Sequence, residues 1–193
     1  MCRKINFQYE WAGLDNTPVE EEKVTNASFC ILIYGESITD FHDNLVNAYK
    51  TTLHLPLYPL GEWFVLNWWS LFGEYSEHEL FEYRHNMKYT GSGFSFPDIS
   101  FIPQTNDQIY IKWEPLSLNN HFVEFLKSGN AYISKMEFQT LIFEFVNSIV
   151  ERLNQFGLKN TILQNEWKII NESDEEESQF CLVAAAMGEE API

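Results

Sequence analysis

The titratable side chains of this sequence are densest between Glu77 and Tyr89, where His78, Glu79, Glu82, Arg84, His85 and Lys88 crowd together. If that stretch is a helix, His78, Glu82 and His85 share a face, and imidazole with carboxylate is a donor set suited to zinc or another first-row metal. The plainer reading is that they line a solvated helix edge or pair with Arg84 and Lys88; if the stretch is a strand, the three do not all share a face and the metal reading weakens further. Glu62 is the second candidate. A carboxylate among large apolar residues must find a partner or take up a proton, because a lone buried charge costs about several kcal/mol. As a functional group it is a general acid or a ligand anchor; as a structural one it is clamped by Arg84, His54 or a loop N–H. Glu62, Asn67, Trp68, Arg84 and His85 form the candidate ligand-binding set.

Other chemistries find less support. Trp63, Trp68 and Trp69 are rings on which a base or sugar could stack, at about 1–3 kcal/mol per base, or they are core. The chain carries 12 Lys and Arg against 28 Asp and Glu, a net charge of −16. That balance disfavours nucleic acid and anionic membranes, which are recognised through clustered cations. The three cysteines, Cys2, Cys30 and Cys181, follow no metal or disulfide spacing. The TGSG run at Thr90–Gly93 lacks the lysine and helix of a phosphate loop.

These residues must be held by elements legible from periodicity. Pro56–Glu74, PLYPLGEWFVLNWWSLFGE, reads as a central helix over 59–73, apolar all round and therefore buried, with Pro59 at its start and Gly73 as its stop. Ile5–Trp11 alternates as a half-buried strand, and Ala27–Tyr34 is a second strand pairing antiparallel with it across an acidic loop. Tyr49–Leu55 is a short strand leading into the central helix; Gly35–Asn47 has no clear period. DISFI and QIYIKW form a hairpin turning at Gln104–Asp107, and Phe122–Leu126 is a further strand ending at Ser128–Asn130. Ser134 and Glu137 predict a capping box opening a long helix, with Phe138, Leu141, Ile142, Phe145, Ile149, Leu153 and Phe156 on one face, stopping at Gly157. Thr161 with Gln164 opens a helix through Trp167, and Ser173 with Glu176 another closing at Gly188. The expectation is a single α+β domain over 1–193: strand-rich over 1–132, helical over 134–188, its antiparallel sheet built from N-terminal and central hairpins around a buried Trp-rich helix, with a C-terminal layer of three helices.

The succession LPLYPLGEWFVLNWW, RHNMKYTGSGFSFPDISF, VERLNQFGL and AAAMGEEAPI resembles the accessory region preceding the peptidase domain in some bacterial ImmA/IrrE-type metallopeptidase proteins. The most specific part is PLYPLGEWFVLNWW, where the resemblance leads one to expect Ala at the place of Gly61. That family's signature is H-E-x-x-H, two histidines holding zinc beside a glutamate that activates water. Here His78-Glu79 is followed by Glu82 at the place of the second histidine. The resemblance therefore implies the accessory half without the peptidase: a non-catalytic protein-interaction or sensing module of a bacterial cytoplasmic regulatory system, such as phage defence. It implies a protein partner, such as a metallopeptidase domain or subunit, and no cofactor. Two other readings stand beside it. One is a small hydrolase using Glu62 with His78 or His85; the other is an acidic mimic of nucleic acid. No run of 18 apolar residues or signal-peptide core occurs, so the expectation is a soluble cytoplasmic chain with no membrane partner.

Overall fold

The alternation at the N-terminus builds the first sheet. The computed structural model of the chain describes residues 4–13, 19–73, 88–89, 96–115 and 123–172. Strand β1 (Ile5–Trp11) pairs antiparallel along its full length with β2 (Asn26–Ile33), Ile5 opposite Ile33 and Trp11 opposite Ala27. The acidic run between them is a one-turn helix, α1 (Glu21–Val24), rather than a loop. The other edge of β2 is shared: β6 (Leu53–Pro56) takes Asn26–Phe29, and β3 (Glu36–Ser37) takes Leu32 and Ile33.

The segment without a clear period, and the expected strand at Tyr49–Leu55, resolve into short pieces. β4 (Phe41–Asp43) sits between β5 (Ala48–Lys50) and β10 (Val123–Phe125) in a second, three-stranded sheet. The third sheet runs β11-β9-β8-β7, with β7 at Lys88–Tyr89. The expected hairpin is there: β8 (Asp98–Pro103) and β9 (Gln108–Glu114) pair antiparallel. β11 (Gly129–Ser134) corrects the reading of Ser128–Asn130 as the end of a strand. Gly129 is a strand residue here because its missing side chain makes room for Trp113, its cross-strand partner; a Cβ at Gly129 would lie 2.5 Å from Trp113 Cζ2.

The tryptophan segment forms two helices, α2 (Tyr58–Leu66) and α3 (Trp68–Phe72). The break is at Asn67, whose backbone N–H and side-chain Nδ2 both donate to Trp63 O, at 3.1 and 2.8 Å. An asparagine side chain that competes for the i−4 carbonyl favours a helix end over continuation. One face is deeply embedded. Phe64 of α2 meets Phe7 of β1, Phe101 of β8, and Phe138 and Phe145 of the long helix, with ring centroids 5.3–6.4 Å apart. The opposite stripe corrects the expectation of burial all round: Leu66 is 59% and Trp69 49% exposed, and Glu62 is partly exposed beside them. At Gly61 a Cβ would fall 2.7 Å from Ile149 Cδ1 and 2.9 Å from Leu163 Cδ1, so this chain's close helix approach makes use of glycine where the resemblance leads one to expect alanine.

The long helix α4 (Lys135–Gln155) buries Phe138, Leu141, Ile142, Phe145, Val146, Ile149 and Leu153 against β1, β9, β11 and α2. Its N-terminus departs from the expected capping box. Ser134 makes no side-chain cap, and Glu137 instead accepts from the backbone N–H of Lys4. The C-terminus closes as expected at Gly157 (φ 74°), with Leu158 N donating to Leu153 O and Gly157 N to Asn154 O. The second capping box does form: Gln164 N donates to Thr161 Oγ1 at 3.2 Å and Thr161 N to Gln164 Oε1 at 3.1 Å, opening helix α5 (162–172). The expected third helix, 173–188, lies outside the described residues. Buried side chains from the first and third sheets, from Phe41 and Phe125 of the second, and from α2–α5 join in one hydrophobic cluster. The architecture is α+β, with antiparallel sheets and a helical layer. Among the described residues, no helix is long and apolar enough to cross a membrane.

Candidate functional site

The residues singled out from sequence separate when placed in three dimensions. Trp68 is 1% exposed and packs edge-on against Phe72 (4.6 Å) and Trp167 (5.3 Å), so it is core and presents no face to a ligand. Asn67 is committed to the helix break. Glu62 is partly exposed, so the premise of a sealed carboxylate does not hold, and among the described residues no hydrogen bond or ion pair clamps it. Its nearest electrostatic consequence is on Tyr58, whose hydroxyl is pushed above its ordinary pKa by burial first and by the charge of Glu62 second. His78, Glu82, Arg84 and His85 lie outside the described residues. Among those described, no three His, Cys, Asp or Glu side chains gather closely enough to hold a metal.

A different set of residues converges where the three sheets meet. The first sheet contributes the β2–β3 turn. Tyr34 (φ 52°) and Gly35 (φ 84°) both adopt left-handed backbone, the type I′ geometry that suits a two-residue hairpin. For a tyrosine this conformation costs about 1–2 kcal/mol. It is held by Tyr34 N donating to Lys4 O (2.7 Å) and Tyr34 Oη donating to Tyr132 O on β11 (3.2 Å). The second sheet contributes Leu126, just past β10, whose N–H donates to Asp40 O at 3.1 Å. Lys127 then crosses back, its Nζ 2.9 Å from both Asp40 Oδ2 and Ser37 O. The third sheet contributes Trp113, on the inward side of β9 and lying over Gly129.

Together these enclose a cleft of about 520 Å³, walled by Ile33, Ile38, Leu126 and Trp113 and rimmed by Tyr34, Glu36, Ser37, Lys127 and Ser128. The size is within the range of small-molecule sites. Two buried polar atoms at this junction have no hydrogen-bond partner among the described residues: Trp113 Nε1, a donor, and Asp40 Oδ1, an acceptor. Buried polar groups are nearly always paired, and one left unmade costs about 1–3 kcal/mol.

The arrangement is equipped to bind. A nucleophile needs a base within hydrogen-bond reach. Among the described residues, the side chain bonded to the Ser37 hydroxyl is the Thr39 hydroxyl at 3.3 Å, which is no base. Cys30, the cysteine among the described residues, has its thiol pushed up by burial and then by the charge of Asp40, so it is kept protonated and poorly nucleophilic. Sequence reading missed this cleft. The inward phase of Trp113 in QIYIKW was legible, but nothing in the local pattern marks its N–H as unpaired or brings Leu126 and Ser37 beside it.

Compared with known proteins, the chain matches no family model, no curated protein and no solved structure.

Proposed function

We propose that this chain is a non-catalytic interaction or sensing module which recognises its ligand or partner in the cleft between the three sheets. The observation that carries the reading is the cleft itself: a concave site of mixed polar and apolar lining at the meeting point of the three sheets, walled by Ile33, Ile38, Leu126 and Trp113. The setting, a bacterial cytoplasmic regulatory or defence system of the kind that uses ImmA/IrrE-type peptidases, is supported by the resemblance of PLYPLGEWFVLNWW and the phrases that follow it. A peptidase domain or subunit is then the expected protein partner. A site at the meeting point of three sheets suits sensing, because an occupant that touches all three favours one arrangement of them over others.

The test is co-expression with the neighbouring genes of the native host, using the wild type, Leu126→Trp to fill the cleft, and Met136→Trp as a surface control. Recovery of a partner by the wild type and the control, with loss in Leu126→Trp, is the expected result. Retention of the partner by Leu126→Trp, or turnover of a hydrolysable substrate by the isolated chain, overturns the proposal.

A further inference from the structure

Resting on the reading of the cleft as the recognition site, we infer that its occupant is an extended, basic peptide segment of the protein partner, adding as a strand along the outer edge of β11. β11 ends its sheet, and among the described residues no strand pairs beyond it. Which main-chain groups it turns outward follows from the strand period of two. Lys135 N–H donates to Asp107 O on the β9 side (2.8 Å), so Ile133, Ala131 and Gly129 bond inward, while Tyr132 and Asn130 turn their N–H and C=O away from β9. Tyr132 O agrees: it accepts from the Tyr34 hydroxyl, which comes from the first sheet, at 3.2 Å. A row of outward N–H and C=O groups is matched by another extended main chain, which supplies acceptors and donors at the same spacing.

Neighbouring strands lie about 4.8 Å apart, whereas here the β2–β3 turn reaches β11 only through the full length of a tyrosine side chain. The cleft lies in the space this leaves, rimmed by Tyr34 and lined by Ser128, the residue before β11. At the far end of β11 the gap is closed, because Glu137 of α4 accepts from the backbone N–H of Lys4. The edge open to a partner is therefore 128–132. Ile33, Ile38 and Leu126 are apolar walls for side chains on one face of the added strand. Its charge follows from the rim. Lys127 is compensated by Asp40 at 2.9 Å, while Glu36 has no ion pair among the described residues. The uncompensated rim charge is negative, on a chain carrying −16, and a lysine or arginine of the peptide complements it.

The probes are acetyl-Val-Lys-Val-Lys-Val-amide, its twin with every peptide nitrogen methylated, and the same peptide with glutamate in place of lysine. Each is titrated into the full chain, following the backbone amides of Asn130 and Tyr132 and the methyl resonances of Ile33, Ile38 and Leu126. Peptides this short bind with Kd on the order of 1 mM. The expected result is a saturable shift of these signals with the lysine peptide and slowed hydrogen exchange at the Asn130 and Tyr132 amides. The methylated twin should not bind, and the glutamate peptide should bind more weakly. Tyr34→Phe releases Tyr132 O from its present donor and is expected to tighten the lysine peptide about fivefold, the equivalent of one neutral hydrogen bond. Glu36→Gln is expected to narrow the preference for lysine over glutamate by up to about fivefold, as for an exposed ion pair. No saturable shift with the lysine peptide, equal binding of the methylated twin, or shifts that spare Asn130 and Tyr132 overturn strand addition. Equal affinity for the glutamate peptide overturns the basic character of the segment. If the two amides shift with protein concentration alone, a second copy of this chain takes the edge and the inference falls. Partner recovery with Leu126→Trp judges the cleft separately: loss of the partner there, beside no peptide binding, keeps the cleft as the site and removes only the added strand.

Discussion

Gly129→Ala puts the packing beneath the cleft to a direct test. A Cβ built at Gly129 lies 2.5 Å from Trp113 Cζ2, 3.0 Å from Cε2 and 3.1 Å from Cη2. These atoms belong to a rigid ring that is almost fully buried, so there is no flexible chain end to swing aside and the whole indole must tilt. Inserting a methyl into a packed core costs about 1–3 kcal/mol. Replacing glycine in a strand returns roughly 0.5–1 kcal/mol of backbone entropy. The net expectation is a destabilisation of about 1–2 kcal/mol, a Tm lower by about 2–8 °C for a chain of this size. The assay is calorimetric unfolding together with the Trp113 indole N–H resonance, which must shift if the ring tilts. In the double variant Gly129→Ala/Trp113→Leu the overlap is gone, so the two changes should be non-additive by about 1 kcal/mol. A Gly129→Ala variant more stable than wild type, with an unmoved indole signal, would refute the proposed contact of ring on glycine.

Two further expectations concern the helix ends and Tyr58. Because the Thr161–Gln164 box is closed and the Ser134–Glu137 box is not, Thr161→Ala should cost about 1 kcal/mol, and Ser134→Ala less, in chemical unfolding; equal losses would contradict the distinction. Tyr58 is an acid whose neutral form is favoured by burial and by Glu62, so its folded pKa stands above the unfolded value of about 10. Its contribution to stability is therefore complete below pH 10 or so and is lost as pH rises through the folded pKa. Glu62→Gln should bring the Tyr58 titration down towards, but not to, its ordinary value, as followed by the labelled tyrosine ring carbon. No change on removing Glu62 would show that its charge does not reach the phenol.

Much of the fold was legible because it is written in local periods. β1 alternates cleanly, the β8–β9 hairpin has a turn at the expected place, and α4 repeats its apolar residues every three or four positions. What escaped was decided over long distances. Gly129 looks like a breaker until Trp113 is seen lying on it from another strand. Glu137 has the spacing of a capping residue, yet its carboxylate is taken by the backbone of Lys4. The half-open stripe of α2 and α3 was hidden because Leu66 and Trp69 are apolar and still face water; apolar type alone does not fix burial. The cleft was invisible for the same reason as β11. Its walls come from segments far apart in sequence, and the orphaned N–H of Trp113 is a property of its surroundings rather than of any motif.

The tie between Lys4 and Glu137 also bears on how the chain is made. The two residues are 133 positions apart, and β1 packs its Phe7 and Tyr9 rings on Phe145 of the same helix. At ribosomal rates of roughly 5–20 residues per second, the first strand leaves the tunnel on the order of 10 s before the helix that covers it has been synthesised. During that interval its aromatic side is open to water, and a nascent chain of this kind is an expected client for a holding chaperone.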